Sequence, residues 1–113
     1  MTTFTFLYRG RELSASPEQM QKTTEKWIAW FKELENKGAI ENIGHPLEDS
    51  GKVLAGKNKM VQDGPFAEAK DVIAGFTMVK ADNLEHATEL ARGCPILEVG
   101  GSVEVRPVRT VNL

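Results

Sequence analysis

The sequence is poor in the features that identify several large classes of protein. Its 113 residues contain one cysteine, Cys94, so it can form no internal disulfide and no zinc site built from several cysteines. No apolar run approaches the ~18 residues that a membrane span needs, and the first residues lack the basic segment of a secretory signal. These absences favour a cytoplasmic protein that does not enter the membrane.

The sequence also lacks a large excess of positive or negative charge. The formal net charge is −2, and the lysines and arginines are interspersed with acids rather than clustered. Because nucleic acid binding depends on a concentrated positive surface, we expect no nucleic acid partner. With 41% hydrophobic and 27% charged residues the composition is typical of a globular protein, and the length predicts a single domain over residues 1–113.

The motifs that identify common enzyme classes are absent as well. The chain has no phosphate-binding loop, HExxH, paired CxxC, GxSxG or dinucleotide fingerprint. Its two histidines, His45 and His86, are distant in sequence, and the acids around them show no metal-ligand spacing. We therefore predict no cofactor and no metal ion, and whether the protein is an enzyme stays open.

What is present is an alternation of strand-like and helix-like segments. Residues 3–9 alternate polar and aromatic side chains and predict a first strand. Ser16, Pro17 and Gln19 match an N-cap, a first-turn proline and a capping box, so they predict a helix from Pro17 to about Asn36 that Gly38 ends.

The second half repeats this order. Residues 72–79 are almost continuously apolar and predict a central strand covered on both faces. A second helix is predicted to begin at 82–85 and stop at 93–95, and residues 102–108 predict a last strand near a sheet edge. Residues 39–59 fit short strands or a loose hairpin, with bounds that the pattern leaves open.

This order predicts an α+β fold, the ferredoxin-like βαββαβ arrangement, with two helices on one face of an antiparallel sheet. Two helices cover only one face, yet the central strand is apolar on both. We therefore expect a second copy of the chain to cover the other face, which makes the protein a symmetric homodimer.

The segment 62–70, QDGPFAEAK, is the least generic part of the sequence. Asp63 and Gly64 match a hairpin turn, in which the carboxylate bonds to its own turn and the glycine takes a positive φ. A proline, an aromatic residue and the pair Glu68 and Lys70 make the segment more specialised than a turn requires. Both interpretations, a turn and a binding site, therefore stay open.

A few polar residues outside this segment are further candidates. His45 can act as an acid or base near neutral pH, although a lone surface histidine is the commoner outcome. Arg9 and Arg106 lie toward strand ends, where they can hold an anionic ligand or equally pair with Glu104.

Two tryptophans and the cysteine complete the candidates. Trp27 falls on the apolar stripe of the first helix and is expected in the core, whereas Trp30 is off-centre and is expected to line a cavity or a dimer interface. Cys94 follows the second helix, whose negative end disfavours a thiolate, so we do not expect it to be a nucleophile.

The segments 61–71, 73–76 and 101–107, with further landmarks at 44–47 and 93–97, strongly resemble the YCII-related family in its DGPF-motif branch. The resemblance covers essentially the whole chain. It implies a ferredoxin-like subunit that dimerises through its sheets into an α/β barrel. In that family some relatives are lyases acting on ring-cleavage products, the fold is shared with small-molecule isomerases and monooxygenases, and DGPF proteins occur beside or fused to alternative sigma factors.

One departure from the resemblance concerns catalysis. YCII-type relatives are thought to use a histidine on the first helix with an aspartate, and this chain has no histidine between Pro17 and Gly38. Only the aspartate of the motif, Asp63, carries over. A His/Asp pair would have to use His45, and kinship of fold does not transmit a reaction.

These observations lead to two hypotheses. In the first, a pocket between sheet and helices binds a small polar or anionic metabolite and supports cofactor-free proton transfer or elimination of the lyase or isomerase type. Its predicted catalytic residues are Asp63 and His45, and its predicted ligand contacts are Arg9, Glu68, Lys70 and Arg106. In the second, the chain is a non-catalytic regulatory or interaction module linked to sigma-factor-dependent transcription.

Overall fold

The computed structural model of the protein describes residues 1–10, 16–64 and 71–111. Six strands and two α-helices follow one another along the chain, and a short 3-10 helix, Pro95–Val99, precedes the last strand. Their bounds are β1 Thr2–Arg9, α1 Pro17–Asn36, β2 Ile40–Pro46, β3 Gly51–Ala55, β4 Met60–Gly64, β5 Ile73–Ala81, α2 Leu84–Ala91 and β6 Ser102–Pro107.

Four of the strands form an antiparallel sheet in the order β2-β5-β1-β6. With a helix after β1 and another after β5, this is the ferredoxin-like βαββαβ arrangement, and the predicted α+β fold is confirmed. The strand that the sequence predicts to be central, β5, lies between β1 and β2, and β6 is an edge strand that ends at Pro107. Strands β3 and β4 pair with each other in a separate two-stranded sheet.

Helix α1 has the predicted bounds because its ends carry strong local determinants. The Ser16 hydroxyl accepts a hydrogen bond from the Gln19 backbone N–H, and the Gln19 side chain accepts one from the Ser16 N–H. Gly38 follows the helix with a φ of +69°, which glycine adopts readily. Within the described ranges, no helix is both long and apolar enough to cross a membrane.

The core lies between the two α-helices and one face of the sheet. Alternate residues of β1 and β5 point to this inner face, and the helices cover them. The buried hydrophobic side chains that form this cluster are Phe4, Phe6, Tyr8, Trp30, Leu34, Ala39, Val79, Ala81, Ala87, Leu90, Ala91, Cys94 and Ile96.

The two tryptophans occupy each other's expected places. Trp30 is 4% exposed and donates its indole N–H to the Leu90 carbonyl at 3.3 Å, whereas Trp27 is only partly buried. Gly93 makes room for Trp30, because a Cβ atom there would lie 3.0 Å from the indole ring. The expected assignment was therefore wrong: contacts with α2 and the segment after it, rather than the stripe on α1, decide which tryptophan is buried.

In the part of the chain that the structure describes, no helix lies over the outer face of the sheet. Leu7 of β1 and Phe76 and Met78 of β5 alternate with the buried residues of their strands and are only partly buried. Leu7 lies directly opposite Phe76 in the strand register, so the apolar side chains form a continuous patch. In a single chain the second apolar face predicted for the central strand is thus uncovered.

Strands β3 and β4 form a hairpin that we call the arm, residues 51–64. It corrects the turn interpretation of the DGPF segment, because Asp63 lies within β4 opposite Lys52 and Gly64 lies opposite Gly51. The turn of the arm is at residues 56–59 instead, where Gly56 and Lys59 have positive φ values. Local turn chemistry at Asp63 is overridden because strand pairing along the arm satisfies the backbone of residues 60–64.

Candidate functional site

A cavity of about 460 Å³ lies between the first half of α1 and the inner face of the sheet. Its volume falls in the range of small-molecule binding sites, which are roughly 300–1,000 Å³. We call it the α1 cavity. It is lined by Tyr8, Gly10, Thr23, Thr24, Trp27, Phe31, Ile43, Gly44, His45, Pro46, Ala74, Gly75, Phe76, Thr77, Ile96 and Val99.

Aromatic rings form one side of the α1 cavity. Trp27 and Phe31 are four residues apart on α1, so they share one face of the helix, and their ring centroids are 5.7 Å apart. The Tyr8 ring meets Trp27 edge to face, with a centroid distance of 4.8 Å and an angle of 81° between the rings. This cluster offers a flat ligand both ring faces and ring edges.

Two glycines form the opposite side, where β2 and β5 approach each other closely. Gly44 has a φ of +72°, and a Cβ atom there would lie 1.8 Å from the Phe76 carbonyl oxygen. A Cβ atom at Gly75 would lie 2.9 Å from the His45 carbonyl oxygen. The register of β2 against β5 shifts between Asn42 and His45, as expected of a bulge. No larger residue fits at either glycine without moving the strands.

Polar groups in the α1 cavity are few and are bonded to one another. The Tyr8 hydroxyl donates to the Thr77 hydroxyl at 2.6 Å, and the Thr77 hydroxyl donates to the Ile43 carbonyl at 2.8 Å. Burial raises the pKa of the Tyr8 phenol well above its ordinary value, an effect larger than that of its hydrogen bond to Thr77, which lowers it. Tyr8 is therefore an uncharged hydroxyl at neutral pH.

His45 is the second titratable side chain in the cavity lining. It lies opposite Phe76 in the strand register, its ring is 6.5 Å from the Phe76 ring, and its side chain is exposed to solvent. Among the described residues that line the α1 cavity there is no lysine, arginine, aspartate or glutamate. The His45 ring thus packs beside Phe76 on the outer side of the strands, whereas toward the inner face the described lining offers hydroxyls and aromatic surface without a charged side chain.

Asp63, the other predicted catalytic residue, lies on the arm rather than on this cavity. Its carboxylate pairs with the Lys52 ammonium, and its side chain is 91% exposed. It lines neither the α1 cavity nor a second cavity of about 480 Å³ near the base of the arm. The structure therefore does not bring Asp63 and His45 together in one cavity of a single chain. Glu68 and Lys70 lie outside the described residues.

The two predicted arginines meet on one carboxylate. Arg9 contacts a Glu104 oxygen at 2.9 Å, and Arg106 contacts the other oxygen at 2.9 Å. Hydrogen bonds from Arg106 and Arg9 lower the pKa of the Glu104 carboxyl below its ordinary value. Arg9 also donates to the Asp71 carbonyl at 2.8 Å and lines the second cavity. Pairing with Glu104, which the sequence left as the alternative to binding an anion, is what the structure shows for both.

Cys94 is buried at the end of α2, away from solvent. Burial raises the pKa of its thiol to about 12, an effect larger than that of the backbone hydrogen bond to Ile96, which lowers it. The expectation that Cys94 is not a nucleophile therefore gains a second and stronger reason, since the thiolate is the reactive form.

Tyr8, Thr77 and Thr24 are the polar cavity residues that sequence reasoning missed. The sequence predicts for Tyr8 only a place in the first strand, where it is one of the alternating aromatic residues. Thr77 carried a usable signal, because it is the one hydroxyl residue within the apolar run 72–79 and is fully buried. A buried hydroxyl must find a hydrogen-bond partner, so such a residue predicts a polar contact in the core.

Comparisons with known proteins identify the family. The YCII-related domain matches residues 2–112. A curated relative, the uncharacterised protein R00369 of Rhizobium meliloti (strain 1021), is 40% identical over 50 residues, which is 43% of this chain and 40% of the relative. The chain thus matches well under half of that relative's length.

A solved structure shares the fold. The 5-chloro-2-hydroxyhydroquinone dehydrochlorinase TftG from Burkholderia phenoliruptrix AC1100, in complex with 2,5-dihydroxybenzoquinone, superposes with a TM-score of 0.50 over 95% of this chain and 93% of its own, at 18% sequence identity. At that identity the likeness concerns the fold alone. The family match over residues 2–112, nearly the whole length, places this chain in the YCII-related family.

Proposed function

We propose that this protein binds a small, flat and largely apolar ring compound in the α1 cavity. The observation that carries the proposal is the lining itself: a cavity of about 460 Å³ between the rings of Tyr8, Trp27 and Phe31 on one side and closely packed strand backbone on the other. Such a combination of apolar surface with a few fixed polar groups is typical of small-molecule sites.

The charge of the lining favours a neutral ligand. The sequence predicted a polar or anionic metabolite, but an anion would need a positive group, and Arg9 and Arg106 both bond to Glu104. The described lining of the α1 cavity contributes hydroxyls and aromatic rings instead. TftG, a protein of similar fold, was solved with 2,5-dihydroxybenzoquinone, and we extend that class of ring ligand to this chain as part of the proposal.

If the protein catalyses a reaction, cofactor-free proton transfer or elimination fits these groups best. The candidate acid or base is His45, which contributes to the cavity lining although its ring packs beside Phe76 on the outer side of the strands. Tyr8 cannot serve as the base at neutral pH, because burial keeps its phenol protonated. The catalytic role predicted for Asp63 stays a prediction.

We propose in addition that a second copy of the chain covers the outer face of the sheet. The patch around Leu7, Phe76 and Met78 is flat and apolar and includes both inner strands, so a two-fold pairing of sheets would bury it. Replacing Leu7 by lysine should then convert a dimer to a folded monomer in sedimentation analysis. A wild-type protein that sediments as a monomer would contradict this proposal.

The DGPF residues stand at 63–66 in the sequence, and membership of the DGPF-motif branch is likewise our proposal. Pro65 and Phe66 lie outside the described residues.

The experiment that tests ligand binding is a thermal-shift screen with ring compounds, followed by titration calorimetry. A ligand that binds the native state raises its melting temperature. We expect Trp27→Leu to weaken binding of any hit by at least roughly tenfold, since it removes the largest ring of the cavity.

Leu54→Ala is the matched control, because Leu54 is 63% exposed on the arm and far from this lining. It should bind like the wild type. A Trp27→Leu variant that folds and binds every hit with unchanged affinity would refute the site. A screen without any hit would favour the alternative of a non-catalytic interaction module.

A further inference from the structure

The buried hydroxyl pair of Tyr8 and Thr77 has a fixed direction of hydrogen bonding. The Ile43 carbonyl carries no proton, so at 2.8 Å the Thr77 hydroxyl must be the donor of that bond. A threonine hydroxyl has one proton, and it is now used. The bond of 2.6 Å between the two hydroxyls must therefore have Tyr8 as its donor.

This assignment decides what Tyr8 can offer a ligand. Its only proton is committed to Thr77, so the phenol oxygen can act toward the α1 cavity only as an acceptor. Thr77 is fully buried and Tyr8 is 5% exposed, so water has little access to exchange these partners. Burial also keeps the phenol protonated, which maintains the same arrangement across the physiological range.

Thr24, on α1, behaves in the same way. Its hydroxyl lines the α1 cavity and donates its proton to the Met20 carbonyl at 2.9 Å. Thr24 is exposed and Thr23 beside it is only half-buried, so the direction of hydrogen bonding is fixed away from water only in the Tyr8 and Thr77 pair.

We propose that Tyr8, held in this orientation by Thr77, is a positioning residue that selects ligands carrying an O–H or N–H donor over ligands that carry only acceptors. This inference rests on the proposed function and specifies the ligand class of the same cavity. A donor on the ligand completes a hydrogen bond with the Tyr8 oxygen. An ether or carbonyl oxygen would face lone pairs and leave both groups unsatisfied.

A ligand that carries only acceptors is not expected to reverse the hydrogen bonds that run from Tyr8 to Thr77 and from Thr77 to the Ile43 carbonyl. For Tyr8 to donate to the ligand, its proton would have to leave Thr77, and two oxygen atoms 2.6 Å apart would then face each other without a proton between them. Thr77 could supply that proton only by giving up the Ile43 carbonyl, which would then be unpaired.

The test compares phenol with anisole. The two probes share a ring and an oxygen atom, but in anisole a methyl group replaces the hydroxyl proton. Their dissociation constants are measured by calorimetry for the wild type, Tyr8→Phe, Thr77→Ser and Thr77→Val. We expect the wild type to bind phenol roughly tenfold more tightly than anisole, as one hydrogen bond implies. Tyr8→Phe should weaken phenol binding, leave anisole binding unchanged and bring the ratio to about one.

The threonine variants test whether Tyr8 is the donor of its hydrogen bond to Thr77. Thr77→Ser keeps the hydroxyl and should keep the preference for phenol. Thr77→Val removes the acceptor of the Tyr8 proton, so Tyr8 can donate to the ligand and anisole should gain affinity, which lowers the ratio below that of the wild type. A merely structural role of Thr77 would weaken both probes equally and leave the ratio unchanged.

Each outcome has a separate meaning. If the wild type binds neither probe and no other ring compound, the proposed function fails. If it binds both equally, or if Tyr8→Phe retains the preference for phenol, the cavity binds rings and the selection by Tyr8 is refuted. Should Thr77→Val fail to fold, the ratios for Tyr8→Phe and Thr77→Ser still decide the matter.

Discussion

The α1 cavity and the arm are opposite kinds of surface on one small domain. In the cavity lining, Tyr8 and Thr77 are desolvated, and their hydroxyl protons have assigned partners. On the arm, the Lys52 and Asp63 side chains are 70% and 91% exposed and pair in solvent. Hydrogen bonds are stronger when they are removed from water, so the buried bond of Tyr8 to Thr77 fixes the direction of the Tyr8 hydroxyl, whereas an exposed ion pair stabilises little.

The most conspicuous segment of the sequence is also not the one that lines the α1 cavity. Asp63 belongs to the most unusual segment of the chain, yet within one chain it lies on the arm. Tyr8 and Thr77 belong to ordinary strands, and the fold brings them together in the cavity. The following predictions contrast the two regions.

The largest contrast concerns two glycines with nearly the same backbone conformation. Gly44 and Gly56 have φ values of +72° and +75°, so alanine is strained at both by roughly 1–2 kcal/mol. Only at Gly44, beside the cavity, would the new Cβ meet a backbone atom, the Phe76 oxygen at 1.8 Å; at Gly56, in the turn of the arm, nothing lies within 4 Å. We expect Gly44→Ala to lower the free energy of unfolding by at least about 4 kcal/mol and Gly56→Ala by about 1 kcal/mol, measured by urea denaturation.

Equal costs for the two variants would mean that the close approach of β2 and β5 is not required. The cavity side built by Gly44 and Gly75 would then be adaptable, and its shape could not be used to argue for a flat ligand.

These two regions show how far the sequence alone can go. Features determined by neighbouring residues were predictable: the capping box of Ser16 and Gln19 set the start of α1, and the apolar run 72–79 indicated the central strand. The cavity was not, because it depends on distant pairings. Tyr8 and Thr77 are 69 positions apart, and the room beside Gly44 exists only because β2 shifts its register against β5.

The structure of the arm likewise depends on pairing that local sequence does not predict. Asp63 and Gly64 have the composition of a turn, but their backbone conformation is set by pairing with residues 51–52. No local sequence pattern predicts that pairing. The tryptophans of α1 were assigned the wrong way round for a related reason, since α2 and Gly93 select Trp30 for burial.

A second contrast is the loss of stability at alkaline pH that the burial of Tyr8 causes. Because burial raises the pKa of Tyr8 in the folded state above its value of about 10 in the unfolded chain, the folded state retains the proton longer. The contribution of Tyr8 is fully present below about pH 10 and is lost as pH rises toward the folded-state pKa. Above about pH 10 it should lower the free energy of unfolding by about 1.4 kcal/mol per pH unit.

Tyr8 is the only tyrosine, so tyrosinate absorbance reports this residue alone. We expect that absorbance to rise together with unfolding, and we expect Tyr8→Phe to flatten the pH dependence of stability between about pH 10 and 11. If tyrosinate forms near pH 10 while the protein is still folded, water reaches the Tyr8 hydroxyl. The cavity and the arm would then differ less in their exposure to solvent.

The smallest expected effect comes from the arm itself. Asp63→Asn removes the charge that faces Lys52, and because both side chains are mostly exposed we expect a loss of less than about 1 kcal/mol in the free energy of unfolding, which added salt should reduce further. Affinity for a ring ligand should not change. If Asp63→Asn abolishes binding in a protein of unchanged stability, the aspartate of the DGPF motif belongs to the binding site after all, and the arm must reach a cavity, either its own or that of a second copy.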